Sequence, residues 1–441
     1  MKNIKMTTRE KWTLTVLVLM SVFLFADQNA MNPVIKDIMA EYRINEQQVG
    51  ALGSAFTILG AIVTIFLGYF TDKFSRKKLL AAVVIVGTIP CFMTGFKVFT
   101  GTYNELLILR ILTGIGVGGI FPITFSLIGD YFDSSHRAKI TAIVTTSWGI
   151  GQILGQTLSG FLSTGHGWRF AFLIAATPNF FLIPAFLKIA REPKRGAREE
   201  EISDMINGGA RYKETIKLSD IKTIFMNKTN WLGFIQGIPG CIPWGIIPFF
   251  ITPFYQDKGF SREFATTLTV ILGAGGVCGA IFGGWMGDKI YQKSKAKLPL
   301  FAAAAVLTGV IPGYILMTLK LTPGMGNSAM LTATIACFIT GFVITIPGPN
   351  VKAILLNVNP PEQRGSVFAI HNLTDSIGKG VGPIIGGILI TNHDYLYTML
   401  FSVYMWIPCA IIYALMSLTL NNDVTRLKNY LTKKRDGLSV S

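Results

Sequence analysis

Twelve apolar runs, centred near residues 22, 59, 89, 118, 151, 179, 242, 275, 309, 342, 379 and 408, limit what this chain can fold into. Each is long enough to cross a bilayer's hydrocarbon core as a helix, which takes about 17 to 25 predominantly apolar residues. Most carry no charge, as in the stretches from Val49 to Phe70, Leu79 to Phe96, Ile140 to Gly165 and Phe264 to Gly287. A helix satisfies its own backbone hydrogen bonds, so lipid tolerates it where it rejects open strands and loops. The expected fold class is therefore an all-α membrane protein, and the overall composition agrees. Charged residues make up only 15% of the chain, against about 25% in soluble proteins.

The net charge of +16 raises the question of nucleic acid. If the N-terminus is cytoplasmic and the spans alternate, most of the 40 Lys and Arg fall in the tails and cytoplasmic loops. That asymmetry is the positive-inside pattern, so the excess charge reads as topology and anionic headgroups, with membrane lipids as partners and no nucleic acid. The expected location is the cell (inner) membrane with both termini cytoplasmic. The five cysteines, Cys91, Cys241, Cys278, Cys337 and Cys409, sit singly in five spans without metal or disulfide spacing. Lys2, Lys5, Arg9 and Lys11 ahead of the first run give it the outline of a signal peptide, but its removal would spoil a six-plus-six division.

That division comes from the segment 188–228, the only long polar stretch inside the chain. The expected organisation is a six-helix bundle over 1–187, a cytoplasmic linker over 188–228, a second bundle over 229–422 and a cytoplasmic tail over 423–441. Within the linker, "SDIKTIF" offers Ser219 as a helix cap with Ile221, Ile224 and Phe225 on one side, which suits a short interfacial helix. A solvated tether accounts for the same residues equally well.

The halves also repeat one another. An offset of 227 residues brings Gly114, Pro122, Arg137, Gly151, Gly155 and Gly160 onto Gly341, Pro349, Arg364, Gly378, Gly382 and Gly387. An offset of 216 brings Gly68, Asp72 and Lys73 onto Gly284, Asp288 and Lys289. Internal repeats of this kind are the mark of a secondary transporter, whose halves move about a site near the midplane.

After the second span comes "GYFTDKFSRKK", Gly68 to Lys78. A compact loop with both signs of charge suits a lock that closes in one conformation and opens in the other, although basic residues there also serve as a positive-inside anchor. The loop resembles the signature loop of the major facilitator superfamily, with Ser75 where that pattern usually has glycine. The resemblance implies a major facilitator fold of twelve transmembrane helices in two pseudo-symmetric six-helix bundles around a central cavity. It also implies a cytoplasmic latch of Asp72, Arg76 and Asp130, with Asp288 as a weaker counterpart. The fourth-span run "RILTGIGVGGIFP" contains a G-x-G-x-x-G spacing but no strand before it, so Gly114, Gly116 and Gly119 read as packing glycines. Gly151, Gly155 and Gly160 read the same way in the fifth span.

"SVFLFADQNAMNPV" places Asp27 well inside the first span. By helix rise it lies about 22 Å from Trp12, and Arg110 lies about 9 Å in from the opposite face. The two therefore share a depth and can relieve each other's desolvation. Two alternatives stay open: the first helix ends at Asn32 and Pro33, leaving Asp27 interfacial, or Arg110 snorkels to the surface. In the eleventh span His371, Asp375 and Lys379 follow at i, i+4 spacing, as one polar stripe. That stripe is either an Asp375 to Lys379 pair that holds the helix or a second polar wall of the cavity. Lys352 lies near the cytoplasmic end of the tenth span, within snorkelling reach of the surface.

"FADQNAM", "REPKRGAREE" and "PPEQRGSVFAIHNLTDSIGKGVGP" are similar to the Spinster branch of the superfamily, whose members carry lysophospholipids or sphingolipid phosphates. The resemblance implies Asp27 as the proton-responsive group and Arg110 as the arginine that meets an anionic headgroup, with Gln28, His371, Asp375 and Lys379 also at the substrate. Gln28 replaces the branch's usual arginine, and Val117 its usual glutamate. The anion:cation symporter branch shares the first-span aspartate, so export or symport of small organic anions or drugs stays open. The expectation is a monomeric, proton-coupled carrier working by alternating access, with no cofactor beyond the proton. A non-transporting receptor is the lesser alternative. No metal spacing or nucleophile pair points to an enzyme.

Overall fold

The computed structural model describes residues 7–131, 134–193, 224–322, 327–360 and 363–438, and every regular element among them is helical. The chain separates into two compact units, Met1–Glu214 and Thr215–Ser441. The linker residues Ser219 and Ile221 lie outside the described residues, as does most of the interfacial helix expected there.

In the first unit the first span opens on a capping box. Thr7 accepts from the Glu10 N–H, and the Glu10 side chain accepts from the Thr7 N–H. It runs as Thr8–Ala30, a 3₁₀ turn at Asn32–Val34 and a continuation at Ile35–Tyr42. Proline cannot donate to the helical ladder, so the α-helix gives way to a 3₁₀ turn at Pro33 and resumes beyond it. The alternative of an early helix end is thereby removed, and Asp27 sits inside a span that continues past it. The second to sixth spans are Glu46–Lys73, Arg76–Thr94, Tyr103–Tyr131, Ser134–His166 and Arg169–Ile189.

In the second unit the seventh span is broken into Lys228–Ile235 and Gly237–Asp257, and the eighth and ninth are Arg262–Lys293 and Lys297–Thr318. The tenth is broken into Asn327–Thr345 and Pro347–Val358, and the eleventh is Arg364–Asn392. The twelfth is broken into Tyr395–Tyr404 and Trp406–Leu438, so its helix runs on through the described part of the tail. Among the described residues, 11 of these spans are long and apolar enough to cross a membrane. The other, Ser134–His166, has 33 residues and ample length for a crossing.

The sequence repeat is also a packing repeat. In the first unit the first span packs most closely on the fifth, the second on the fourth and the third on the fourth and sixth. In the second unit the seventh packs on the eleventh, the eighth on the tenth and the ninth on the tenth and twelfth. Glycine sets the first of these contacts in both units. A methyl group at Gly155 would overlap the Ala26 carbonyl, and one at Gly382 would lie 2.9 Å from the Ile242 carbonyl. Apolar side chains gain little by leaving lipid for protein, so close backbone approach at small residues holds such helices together. The repeat extends to detail: His166 stacks on Phe170 with centroids 4.7 Å apart, and 227 residues later His393 stacks on Tyr397 at 4.2 Å.

Candidate functional site

Arg110 and Asp27 meet. Arg110 Nη2 donates to Asp27 Oδ1 at 2.8 Å, and each residue is 1% exposed. Arg110 therefore does not snorkel. The helix around each side chain explains the placement. Asp27 follows the apolar face Met20, Leu24 and Phe25, while Arg110 precedes Gly114, whose missing side chain lets the fourth span touch the backbone of Phe56. Asp27 Oδ2 and Arg110 Nε have no hydrogen-bond partner. A buried ion pair repays its desolvation only when the remaining donors and acceptors are also satisfied, so this pair is underpaired for its depth. Gln28 is half-buried beside it in sequence, with Oε1 likewise unpartnered.

Three further residues enclose the pair, none of them marked by charge patterning. The Arg110 guanidinium lies 4.7 Å from the Phe172 ring centroid and 5.9 Å from that of Phe56. The thiol of Cys91, in the third span, lies beside both charges and donates to the Phe172 carbonyl at 3.5 Å.

The ends of the first span are fastened. At the end beyond Pro33, Arg169 donates to both Glu41 carboxylate oxygens at 2.7 and 2.9 Å, and Trp168 Nε1 donates to Glu41 at 2.8 Å. Bidentate pairing fixes direction as well as distance, so the sixth span holds the tip of the first. At the other end, Arg9 Nε donates to the Ile189 carbonyl at 2.6 Å.

At that same end the structure brings Arg76 to a residue that the signature loop does not contain. Arg76 Nε donates to Glu192 Oε1 at 3.1 Å, and Arg76 Nη2 donates to the Pro193 carbonyl at 2.9 Å. Glu192 also accepts from Ser75 Oγ at 2.6 Å and from the Lys77 N–H at 2.9 Å, which makes it an N-terminal cap of the third span. Burial alone would raise the Glu192 carboxyl, but the Ser75, Lys77 and Arg76 hydrogen bonds outweigh it and hold the group below the usual carboxylate range. The signal in the sequence was an acid three residues past Ile189, the end of the sixth span, in "REPKRG". The side chains of Asp72 and Asp130 lie outside the described residues. Asp288 is exposed and has no ion-pair partner among the described residues.

In the second unit the polar stripe turns inward. His371 is 1% exposed, and its Nε2 lies 3.7 Å from Asp375 Oδ2, too long for a hydrogen bond. Asp375 Oδ1 lies against Gly237, where a methyl group would meet it at 2.5 Å, and Thr374 Oγ1 is also close. The carboxylate thus sits where the second half of the broken seventh span begins. Lys352 comes close enough to feel the charges of both Lys379 and Asp375, an association that its sequence position did not suggest.

Two like-built six-helix bundles with ionisable groups buried inside them define a membrane transport protein. The family model described as "Major Facilitator Superfamily" matches residues 17–351, and the chain belongs to that family. Among its relatives are the cis,cis-muconate transport protein of Acinetobacter baylyi and the multidrug resistance protein 1 of Bacillus subtilis. The first is 26% identical over 61% of this chain and 64% of that protein. The second is 26% identical over 86% of this chain and 89% of that protein. Among solved structures, a bacterial homolog of the human lysosomal transporter Spinster superposes with a TM-score of 0.79 at 19% identity, covering 95% of this chain and 99% of that one. A D-xylose–proton symporter superposes with a TM-score of 0.68 at 16% identity, covering 93% and 97%. The chain is a secondary transporter and not an enzyme, and its fold resembles the Spinster branch.

Proposed function

We propose that this transporter is proton-coupled and moves an amphipathic anion, with a lysophospholipid as the first candidate. The observation that carries the reading is the fully buried Asp27–Arg110 pair, joined by one 2.8 Å hydrogen bond with Asp27 Oδ2 and Arg110 Nε left over. Protonation of Asp27 releases Arg110, and an anion presented to the guanidinium does the same. Either event exchanges one underpaired state for another, which suits a two-state carrier. Gln28, His371, Asp375 and Lys379 complete the substrate-facing set in this reading. Arg76 with Asp72 and Asp130 forms the latch, with Asp288 as its weaker echo, and we add Glu192 to it. The protein acts as a monomer in the cell membrane with both termini cytoplasmic and needs no cofactor beyond the proton.

A second reading, symport of a small organic anion, is favoured by the names of the relatives, which include carriers of muconate, hexuronate, gallate and 4-hydroxybenzoate. Uptake into proteoliposomes with and without an imposed pH gradient tests both readings. A labelled anionic lysophospholipid and a labelled aromatic carboxylate are compared in wild type and Asp27→Asn. Gradient-driven uptake of the lipid, lost in the variant, is the expected result. Uptake of the carboxylate alone selects the second reading, and uptake whose pH dependence survives Asp27→Asn removes the coupling role of Asp27.

A further inference from the structure

Asp27 accounts for one edge of the Arg110 guanidinium and leaves its faces to other groups. Phe172, with its ring centroid 4.7 Å from Arg110 Cζ, is 0% exposed, and Phe56, at 5.9 Å, is 4% exposed. Phe172 belongs to the sixth span and Phe56 to the second, so the cation is flanked from two helices while its carboxylate comes from a third. The Cys91 thiol further fixes the backbone of Phe172.

The repeat supplies a control within the same molecule. The offset of 227 residues that aligns the fourth and sixth spans with the tenth and twelfth puts Cys337 at the place of Arg110 and Met399 at the place of Phe172. The offset of 216 puts Leu272 at the place of Phe56. That register holds in the packing: Gly114 approaches the Phe56 carbonyl, and Gly341 approaches the Leu272 carbonyl. Leu272 and Met399 are as buried as the two phenylalanines. Aliphatic side chains therefore fill these positions where no cation is present, and aromatic rings stand there where one is.

We propose that Phe172 and Phe56 are positioning residues that retain Arg110 as a cation inside the first bundle when Asp27 lets go of it, and that they thereby set the pH at which the carrier switches. The inference rests on the proton-coupled reading above. When Asp27 takes up a proton, Arg110 loses its countercharge at a buried position. The negative face of an aromatic ring stabilises a desolvated cation, so the rings lower the penalty of that state. Among the described residues, the titratable or charged groups beside Asp27 are Arg110 from the fourth span and Cys91 from the third. In the ion pair the Asp27 carboxylate offsets much of the charge that the rings meet, so weaker rings penalise the state with neutral Asp27 more than the ion pair, and protonation then requires a lower pH.

The test replaces Phe172 with mono-, di- and trifluorophenylalanine, which withdraws electron density from the ring face while keeping its shape. The readout is an infrared titration of the purified protein, following the protonated-carboxyl band that Asp27→Asn removes. It needs no substrate. The expected result is a stepwise acid shift of the band's midpoint along the series, reaching about one pH unit, with the same series at Phe56 giving a smaller shift. An unchanged midpoint across both series, with the Asp27 band intact, overturns the positioning role and leaves the proton reading standing. No band that depends on Asp27 at any pH overturns both.

Discussion

The first unit buries a guanidinium and a carboxylate where the second places Cys337 and Pro243, and the second buries His371 where the first has Val144. Asp375 and Lys379 correspond likewise to Trp148 and Gln152. The two bundles share a scaffold and differ in where it carries charge. What was kept through the duplication is the set of close helix contacts at glycine. What diverged is the polar chemistry, which occupies the first and fourth spans of one unit and the eleventh span of the other. A packing contact constrains shape on both partners, whereas a buried charge constrains only its own surroundings.

The comparison is broken most forcefully at its charged position. Arg110→Ala leaves Asp27 buried and unpaired, and removal of one partner of a buried pair costs about 3 to 5 kcal/mol. A large fall in the thermal unfolding temperature in detergent is expected, whereas Cys337→Ala, at the equivalent position, lowers it far less. The double substitution Asp27→Leu with Arg110→Met recovers most of the loss while abolishing coupled transport. Equal losses from Arg110→Ala and Cys337→Ala would mean that the pair contributes no more than its volume.

The shared feature is sharpened by overfilling it. Gly155→Val and Gly382→Val each force a side chain into a neighbouring helix backbone, and each is expected to destabilise by about 1 to 3 kcal/mol. Similar losses in melting temperature for the two variants support a common packing device, and a loss in one alone would limit it to that unit.

Smaller effects belong to the basic loops. Glu192→Gln removes the ionic partner of Arg76 and is expected to cost about 1 kcal/mol after allowance for the solvent reaching this partly exposed group. Because its native carboxyl is held below the ordinary value of 4.5, the stabilisation is in full force above that value and disappears as the pH falls through the lowered one. The difference between wild type and Glu192→Gln in melting temperature should therefore shrink on acidification below that range. Asp288→Asn, on an exposed turn near the end of the eighth span, is expected to stay within about 0.5 kcal/mol of wild type. A loss as large as that of Glu192→Gln would show the two charged sites to be alike after all.

Much of this was legible in the residue order, because lipid leaves a spanning chain few options. Run lengths gave the spans, spaced glycines gave the repeat, and helix rise put Asp27 and Arg110 at one depth. Pro33 was ambiguous in sequence, since a proline can end a helix or bend it, and only packing on either side of it decides. Glu192 was visible as a charge but not as a cap, because its partners lie more than a hundred residues away. Phe56, Phe172 and Cys91 carried no signal among many apolar residues of the same kinds. The sequence by itself determined which segments cross the membrane and which residues repeat, since both follow from local hydrophobicity and spacing. Only the tertiary structure decided that Arg110 turns inward to Asp27 between two rings, and that Asp375 rests at the break of the seventh span. Those contacts join side chains from separate helices, and no local pattern specifies the angle at which one helix meets another.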